Sequence, residues 1–466
     1  MRRDRSPGMK LFFAGVVAAV LVVPLLAVYA LVYDRESQSE RAQAQITAGW
    51  GGPQVVAGPV LVVPYLAETV EAETVNGVVT ERRRQVRREL FVSPLDQSVT
   101  TELAPDRKGY AIYESVVYSA AMRGEARYVL TDELESLDIE SSDLLLDEAE
   151  LRFGISDPRG LTDGARVVVN GAAASLDPGG GLQAAGGSGF SAPVAGWTAD
   201  APLQIEYSYG LRGTGSLSLV PRGGETEWRV TSPWPHPSFT GGFLPDPELS
   251  ETTADGFEAV YPGITNLALG QELVSAGDLQ GEPIPVGEYA VAEPVRPVIA
   301  GATQVVTIAL VDPVDLYSQV DRAVKYGFLF IGFTFATLLM FDIVGGARVA
   351  AAEYLLTGAG LVLFFVMLLA FAEVVGFTLA YVLAAAAIIA LLTAYSAAVL
   401  GGWRRASFIG LMLAALYCVL YVLLNEETYS LVIGSVLLFA ALAGIMYATR
   451  GVDWAAVGRK DEDALT

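Results

Sequence analysis

Hydrophobic positions along this chain follow two patterns. In six places they run almost without polar interruption for about one bilayer crossing: Leu11–Tyr33, Tyr326–Phe341, Tyr354–Phe371, Phe377–Leu400, Ser407–Leu424 and Tyr429–Thr449. A hydrocarbon core about 30 Å thick is crossed by roughly 20 residues at helical rise, so each run, with its flanks, predicts a spanning helix. Between the first and second runs the period shortens. Val60-Leu-Val-Val-Pro-Tyr-Leu, Ala111-Ile-Tyr-Glu-Ser-Val-Val-Tyr, Glu150-Leu-Arg-Phe-Gly-Ile, Ala165-Arg-Val-Val-Val, Leu203-Gln-Ile-Glu-Tyr-Ser-Tyr, Ser216-Leu-Ser-Leu-Val, Glu227-Trp-Arg-Val and Gln304-Val-Val-Thr-Ile-Ala-Leu are β-branched or aromatic and often alternating. Asn76-Gly77, Asn170-Gly171, Pro178-Gly-Gly-Gly and Arg222-Gly-Gly separate them with turn chemistry. Short strands with frequent turns predict an antiparallel β domain, sandwich-like or built of two packed sheets.

Helix is expected only at the margins of that domain. Asp34–Ala48 is polar and free of glycine and continues the first span outward, and Asp315–Lys325 leads into the second. Arg82-Arg-Arg and Arg87-Arg88 predict an exposed hairpin arm, either simply solvated or in contact with anionic headgroups. Ala184–Val194, rich in Gly, Ala and Ser, reads as a loop.

The loops between spans set the orientation. Arg348 lies in the first connection of the carboxy-terminal bundle, Arg404-Arg405 in the third, and Arg450, Arg459 and Lys460 after the last span. The second connection (Ala372-Glu-Val-Val-Gly) and the fourth (Asn425-Glu-Glu-Thr) have no basic residue. Positive charge alternates as it does when both termini are cytoplasmic, and Arg2, Arg3, Arg5 and Lys10 place the amino terminus inside by the same rule. Arg322 and Lys325 stand before the second span on the outer side, where a long translocated domain obeys the rule weakly. The first run reads as a retained anchor and not a cleaved signal, because it is long and Val28-Tyr-Ala-Leu-Val-Tyr offers no clean small-x-small site. The resulting division is a cytoplasmic tail and first span (1–33), an extracytoplasmic β-rich domain (34–324), a five-helix bundle (325–450) and a cytoplasmic tail (451–466).

Charge sharpens this division. The formal net charge is −22 although 52% of residues are hydrophobic, and Asp34–Val324 alone holds 42 acids against 19 bases. Such a domain is a poor partner for nucleic acid and does not adhere unaided to an anionic bilayer. Cys418 is the single cysteine and sits inside an apolar run, so no intramolecular disulfide exists and the β domain rests on its own core.

Candidate chemistry is sparse. His236 is the only histidine, no serine stands in a Gly-x-Ser-x-Gly elbow, and a zinc site would need several His or Cys ligands. There is no phosphate-binding Walker loop, and Gly213-Thr-Gly215 reads as a turn between strands. No catalytic residue, metal or cofactor is therefore assigned. In the bundle, Asp342, Glu353, Glu373, Glu426 and Glu427 fall at span ends and not at mid-bilayer, where transport sites usually lie. Gly358 and Gly360 permit close helix contact. One segment differs: Pro233, Pro235 and Pro237 hold an extended backbone that cannot pair as a ladder, and Trp234, Phe239 and Phe243 ride on it beside His236. It is either a recognition loop or a strap whose aromatics plug the β core, and the strap is the expectation.

That segment, Thr231-Ser-x-Trp-Pro-His-Pro-Ser-Phe with Phe243-Leu-Pro, closely resembles the CreD family of inner-membrane proteins. Further matching stretches are Gly58-Pro-Val-Leu-Val-Val-Pro, Arg212-Gly-Thr-Gly-Ser-Leu-Ser-Leu-Val-Pro, Asp321-Arg-Ala-Val-Lys-Tyr, Tyr354-Leu-Leu-Thr-Gly, Glu373-x-x-Gly-Phe-Thr, Leu423-Leu-Asn and Ala443-Gly-Ile-Met-Tyr-Ala-Thr-Arg-Gly-Val-Asp-Trp. The resemblance implies a multi-pass protein of the bacterial inner membrane with a periplasmic β domain. It also implies a role in cell-envelope integrity, as an output of a two-component response to nutrient state and envelope stress. It supplies no catalytic or ligand residues. The expected function is non-catalytic, with the bilayer and an envelope component or membrane protein as partners. Two rivals have distinct signatures: a lipid transporter or flippase would show a lined cavity between spans, and a cell-wall enzyme would show a cleft of converging carboxylates.

Overall fold

The computed structural model describes residues 7–75, 78–110, 113–130, 134, 137, 139–162, 164–278, 305–311, 316–343, 349–425 and 430–450. Two compact units emerge, one formed by Arg41–Pro313 and the other by Met1–Glu40 with Val314–Thr466. The predicted turn at Asn76-Gly77, the charges Arg348, Glu426 and Glu427, and the terminal Arg459 and Lys460 lie outside the described residues.

The first unit is a sandwich of two mixed sheets. Its strands in chain order are β1 (Gln54–Val75), β2 (Val78–Val92), β3 (Asp96–Tyr110), β4 (Tyr113–Tyr128), β5 (Glu150–Ile155), β6 (Arg166–Val169), β7 (Ala172–Ala173), β8 (Asp177–Pro178), β9 (Gly189–Pro193), β10 (Leu203–Thr214), β11 (Ser216–Val220), β12 (Glu225–Ser232), β13 (Pro237–Gly241), β14 (Glu251–Thr253), β15 (Gly256–Thr265), β16 (Val274–Ser275) and β17 (Val306–Leu310). One sheet runs β13-β17-β11-β1-β5-β9-β8, with β2 on β1 and β16 on β2; the other runs β14-β15-β12-β3-β4-β10-β6-β7. Purely antiparallel pairing, the expectation from sequence, is corrected here: β1 lies parallel to β11 and β3 parallel to β12. Neighbours this far apart in sequence have long crossovers between them, so nothing forces the antiparallel arrangement that a tight hairpin imposes.

Burial explains why the strands read as they do. Leu61, Val63, Leu90 and Val92 point into the core between the sheets, where Val99, Leu103, Tyr118, Met122, Leu211 and Trp228 meet them. Val60, Val62 and Phe91 point the other way and are covered by Leu182, Ala184, Ala185 and Val305. The run Val60-Leu-Val-Val is therefore apolar at every position because both faces of β1 are buried. The second sheet has one wet face: Ser98, Thr100, Glu102, Arg123, Glu125, Arg127, Gln204 and Glu206 are exposed, while Val99, Thr101, Leu103, Met122, Ala126 and Ile205 are buried. Strict alternation follows. The loop expected over Ala184–Val194 is instead a short turn, Gln183–Ala185, followed by β9, which pairs with β5 and buries Phe190. Phe190 stacks on Phe153 at 4.6 Å, so one aromatic supplies the core contact that the small residues around it lack.

The second unit is helical. Its helices are α1 (Pro7–Trp50, whose last residues belong to the sandwich unit), α2 (Leu316–Lys325), α3 (Gly327–Ile343), α4 (Ala351–Val375), α5 (Phe377–Val399), α6 (Trp403–Asn425) and α7 (Ser430–Thr449). α1 is unbroken through Pro24 and continues past Tyr33. Among the described residues, five helical stretches are long and apolar enough to cross a bilayer: Leu11–Trp50, Leu316–Asp342, Ala351–Val375, Phe377–Val399 and Trp403–Leu424. α7 covers the sixth apolar run of the sequence. The glycine contacts expected in the bundle are present: a Cβ on Gly358 would overlap Leu21 of α1, and one on Gly360 would come within 3.0 Å of Leu392.

Candidate functional site

The proline-rich segment sits where β12 ends and β13 begins. Trp234 is half-buried; its indole Nε1–H donates to the Val311 carbonyl at 3.0 Å, and its ring packs on the edge of the inter-sheet core. The Arg107 guanidinium lies 5.8 Å from the ring centroid. Pro235 is half-buried and His236 exposed; Pro237 opens β13, an edge strand paired with β17. Phe239 meets Phe257 edge-to-face at 5.7 Å, and Phe243 also packs against the core. The three aromatics thus share one apolar surface, and His236 stands apart from it in solvent.

A second locus was not visible in the sequence. Just after α1, Gln54 is buried and its amide Nε2–H donates to the carbonyls of Asp157 and Arg212, at 3.0 and 2.9 Å. The Gly52 N–H donates to the Asp157 carboxylate at 3.1 Å, the Val55 N–H to Ser156 Oγ at 2.8 Å, and Thr214 Oγ1 donates to the Gly51 carbonyl at 2.7 Å. Hydrogen bonds from Arg159 hold the Asp157 carboxyl below the usual carboxylate range, with the Gly52 amide acting the same way. Tyr118 donates to the Ser216 carbonyl at 2.6 Å, and a Cβ on Gly213 would overlap its phenol. Gly215, at φ +74°, carries the chain from β10 in one sheet to β11 in the other. The Trp50 indole is flanked by Lys108 Nζ at 5.2 Å and by the Arg212 guanidinium at 4.9 Å. These groups come from stretches of sequence far apart, around residues 50–55, 108–118, 156–159 and 212–216, which is why no local motif announced them.

The wet sheet carries shallow clefts. One, of about 580 Å³, is lined by Glu102, Thr231, Ser232, Glu251, Asp255 and Glu258 among others. Two of its carboxylates are engaged by arginines: Glu102 with Arg123 at 2.9 Å and Glu258 with Arg229 at 2.6 Å. Among the described residues no group of three or more His, Cys, Asp or Glu side chains is placed to hold a metal ion.

Within the helical unit the space between helices is filled by aromatics. Phe330 and Phe364 each lie 4.6 Å from the Tyr417 ring, Phe364 meets Tyr381 at 5.5 Å, and the Tyr381 hydroxyl donates to the Tyr417 carbonyl at 2.7 Å. Polar contacts gather at the two ends of α4: Arg35 of α1 approaches Glu373 at 3.8 Å, Tyr317 donates to Glu373 at 3.4 Å, and the Ala350 N–H donates to Glu353 at 2.7 Å. Asp342 is buried in the last turn of α3, and Cys418 is exposed on α6.

Apolar helices of spanning length joined to a two-sheet domain define a multi-span membrane protein with a large extramembrane β sandwich. The family model described as "Inner membrane protein CreD" matches residues 6–455, and the chain belongs to that family. It is 29% identical to Inner membrane protein CreD of Escherichia coli (strain K12) over 439 residues, which covers 93% of this chain and 91% of that one. Among solved structures, a candidate protease from Parabacteroides distasonis ATCC 8503 overlaps 53% of this chain and 46% of its own at a TM-score of 0.20 and 11% identity, too loose a superposition to bear on fold or activity.

Proposed function

We propose that this chain is a non-catalytic inner-membrane protein that supports cell-envelope integrity. It crosses the membrane six times, with both termini cytoplasmic and the β sandwich in the periplasm, where it binds or organises an envelope component. The orientation is supported by the alternation of Arg and Lys between connections and by α7, a 20-residue helix over the sixth apolar run. One observation carries the non-catalytic reading: the stretches that mark the family in this sequence are built into the framework. Pro59 accepts through its carbonyl from the buried Tyr128 hydroxyl at 2.7 Å, Gly213 makes room for Tyr118, and Trp234 and Phe239 pack on the core. His236, the residue with the best acid–base chemistry in the motif, is held in solvent outside that framework.

The test is complementation of a deletion strain by the full chain carrying His236→Ala, read as survival under envelope stress, beside the melting temperature of the purified protein. Retained function is expected. A fully folded but wholly inactive His236→Ala protein would overturn the non-catalytic reading. Crosslinking in intact cells from the exposed face of the sandwich, followed by identification of what is captured, would name the component.

A further inference from the structure

The β1–β2 hairpin is longer than the sheet that holds it. On the side away from β2, β1 is paired with β5 as far as Val62, and the last bridge there joins Tyr65 to Leu144; on the side it shares with β2, β11 reaches only to Ala57. On its outer side, among the described residues, β2 is paired only at Phe91 and Val92, by β16. From Leu66 to Arg88 the two strands have only each other as ladder partners among the described residues. A lone two-stranded ribbon is marginal in water, and its open edges present unpaired N–H and C=O groups.

Charge on the ribbon is segregated by strand. Between Leu66 and Arg88 the sequence holds five arginines and four glutamates, so the arm as a whole is nearly neutral. Three of the glutamates, Glu68, Glu71 and Glu73, are on β1, and all five arginines are on β2. A flat phosphate surface would meet both signs together. A strand laid along the outer edge of β2 would meet arginines, because side chains of adjacent strands pair laterally.

Register identifies which arginines are available. Residues directly opposite each other share a face, and Leu61/Val92 and Val63/Leu90 point into the inter-sheet core. Tyr65/Arg88 and Thr69/Arg84 continue that face beyond the sandwich. On the other face Arg87 is engaged by Glu148 at 2.7 Å and Arg83 by Glu68 at 3.6 Å. Arg84 and Arg88 are exposed and make no ion pair with a described side chain. Four residues of strand separate them, roughly 13 Å at about 3.3 Å per residue.

We propose that the outer edge of β2 is a docking edge for an extended acidic polypeptide segment. The segment adds as a strand and sets two carboxylates, four residues apart, against Arg84 and Arg88. The open edge selects a main chain, since only a polypeptide matches its alternating donors and acceptors, and the arginines select acid at a fixed spacing. The same strand of a second copy would set arginine against arginine. This deepens the proposed binding role and rests on it only for where the partner is met; the measurement below uses purified protein and does not depend on topology.

The full chain in nanodiscs is titrated with a fluorescent ten-residue Thr/Val peptide carrying Glu at two positions four apart. Saturable binding is expected, weakened by roughly tenfold or more in the Arg84→Glu/Arg88→Glu protein. The melting temperature should stay unchanged because both side chains are exposed; should that variant not fold, Arg84→Gln/Arg88→Gln makes the same comparison. N-methylation of alternate peptide residues should abolish binding with charge untouched. No saturable binding, or binding indifferent to N-methylation, overturns the proposal. Equal, arginine-dependent binding of long-chain inorganic polyphosphate would assign the edge to phosphate instead, and self-association that blocks the peptide would assign it to a second copy.

Discussion

Two tryptophans close together in sequence should respond very differently to truncation. Trp228 on β12 is fully buried, donates from Nε1 to Thr101 Oγ1 at 3.0 Å and stacks on Tyr261 at 5.5 Å. Replacement by Ala removes the transfer energy of a whole indole and leaves a cavity and an orphaned hydroxyl, about 3–5 kcal/mol in all. Trp234 is half-buried, and its hydrogen bond to Val311 is exposed to water. If half of the roughly 200 Å² a tryptophan can bury is lost, the area term is about 2.5 kcal/mol at about 25 cal/mol per Å², an upper bound because the unfolded chain also buries some surface. About 2 kcal/mol is the expected cost. Urea unfolding of the Arg41–Pro313 unit, followed by far-ultraviolet circular dichroism, measures both. Equal costs for the two variants would refute the packing described for the proline segment. So would a Trp234→Ala change below about 0.5 kcal/mol, the mark of a surface side chain.

The same unit, made without the apolar helices, should be soluble, strand-rich and indifferent to reductant, since it contains no cysteine; a mainly helical spectrum would defeat the assignment. Asp157→Asn should lower stability at pH 7. Because the folded-state pKa of Asp157 is depressed, its contribution is present above the unfolded value near 3.9 and lost as pH falls through the folded one. The variant and parent curves should therefore converge in acid, and a gap that does not narrow as pH falls would contradict the role given to Arg159. Gly213→Ala should destabilise by about 1–3 kcal/mol through overlap with the Tyr118 phenol, read as a shifted urea midpoint; an unshifted midpoint would show that the β10–β11 crossing has slack.

What was legible in the sequence was what local pattern controls. Spanning runs need only length and apolarity, and α1, α4, α5 and α6 lie where those runs lie. The turn read at Gly213-Thr-Gly215 also announces itself locally, and Gly215 is where the chain crosses between the sheets. Pairing direction is set by non-local crossovers, so the parallel partners β1/β11 and β3/β12 were invisible. β3 was missed because its second half, from Ala104 to Tyr110, is polar and leaves the apolar alternation to Val99, Thr101 and Leu103 alone. Proline spacing drew notice to Trp234, while Trp228, the tryptophan that fills the core, sits in the unremarkable alternation Glu227-Trp-Arg-Val. The network around Gln54 and Asp157 depends on groups a hundred residues apart and has no sequence signature.

The proposed topology puts the sandwich in the periplasm and the carboxy-terminal segment in the cytoplasm after six spans. Cys418→Ser provides a cysteine-free chain in which single cysteines are introduced at Asp255, in the exposed turn before β15, and at Ala464, beyond the last helix. Cells with a permeabilised outer membrane are treated with a membrane-impermeant maleimide, with and without lysis. Asp255→Cys should label in intact cells and Ala464→Cys only after lysis. Labelling of Ala464→Cys from outside, or protection of Asp255→Cys until lysis, would contradict the account.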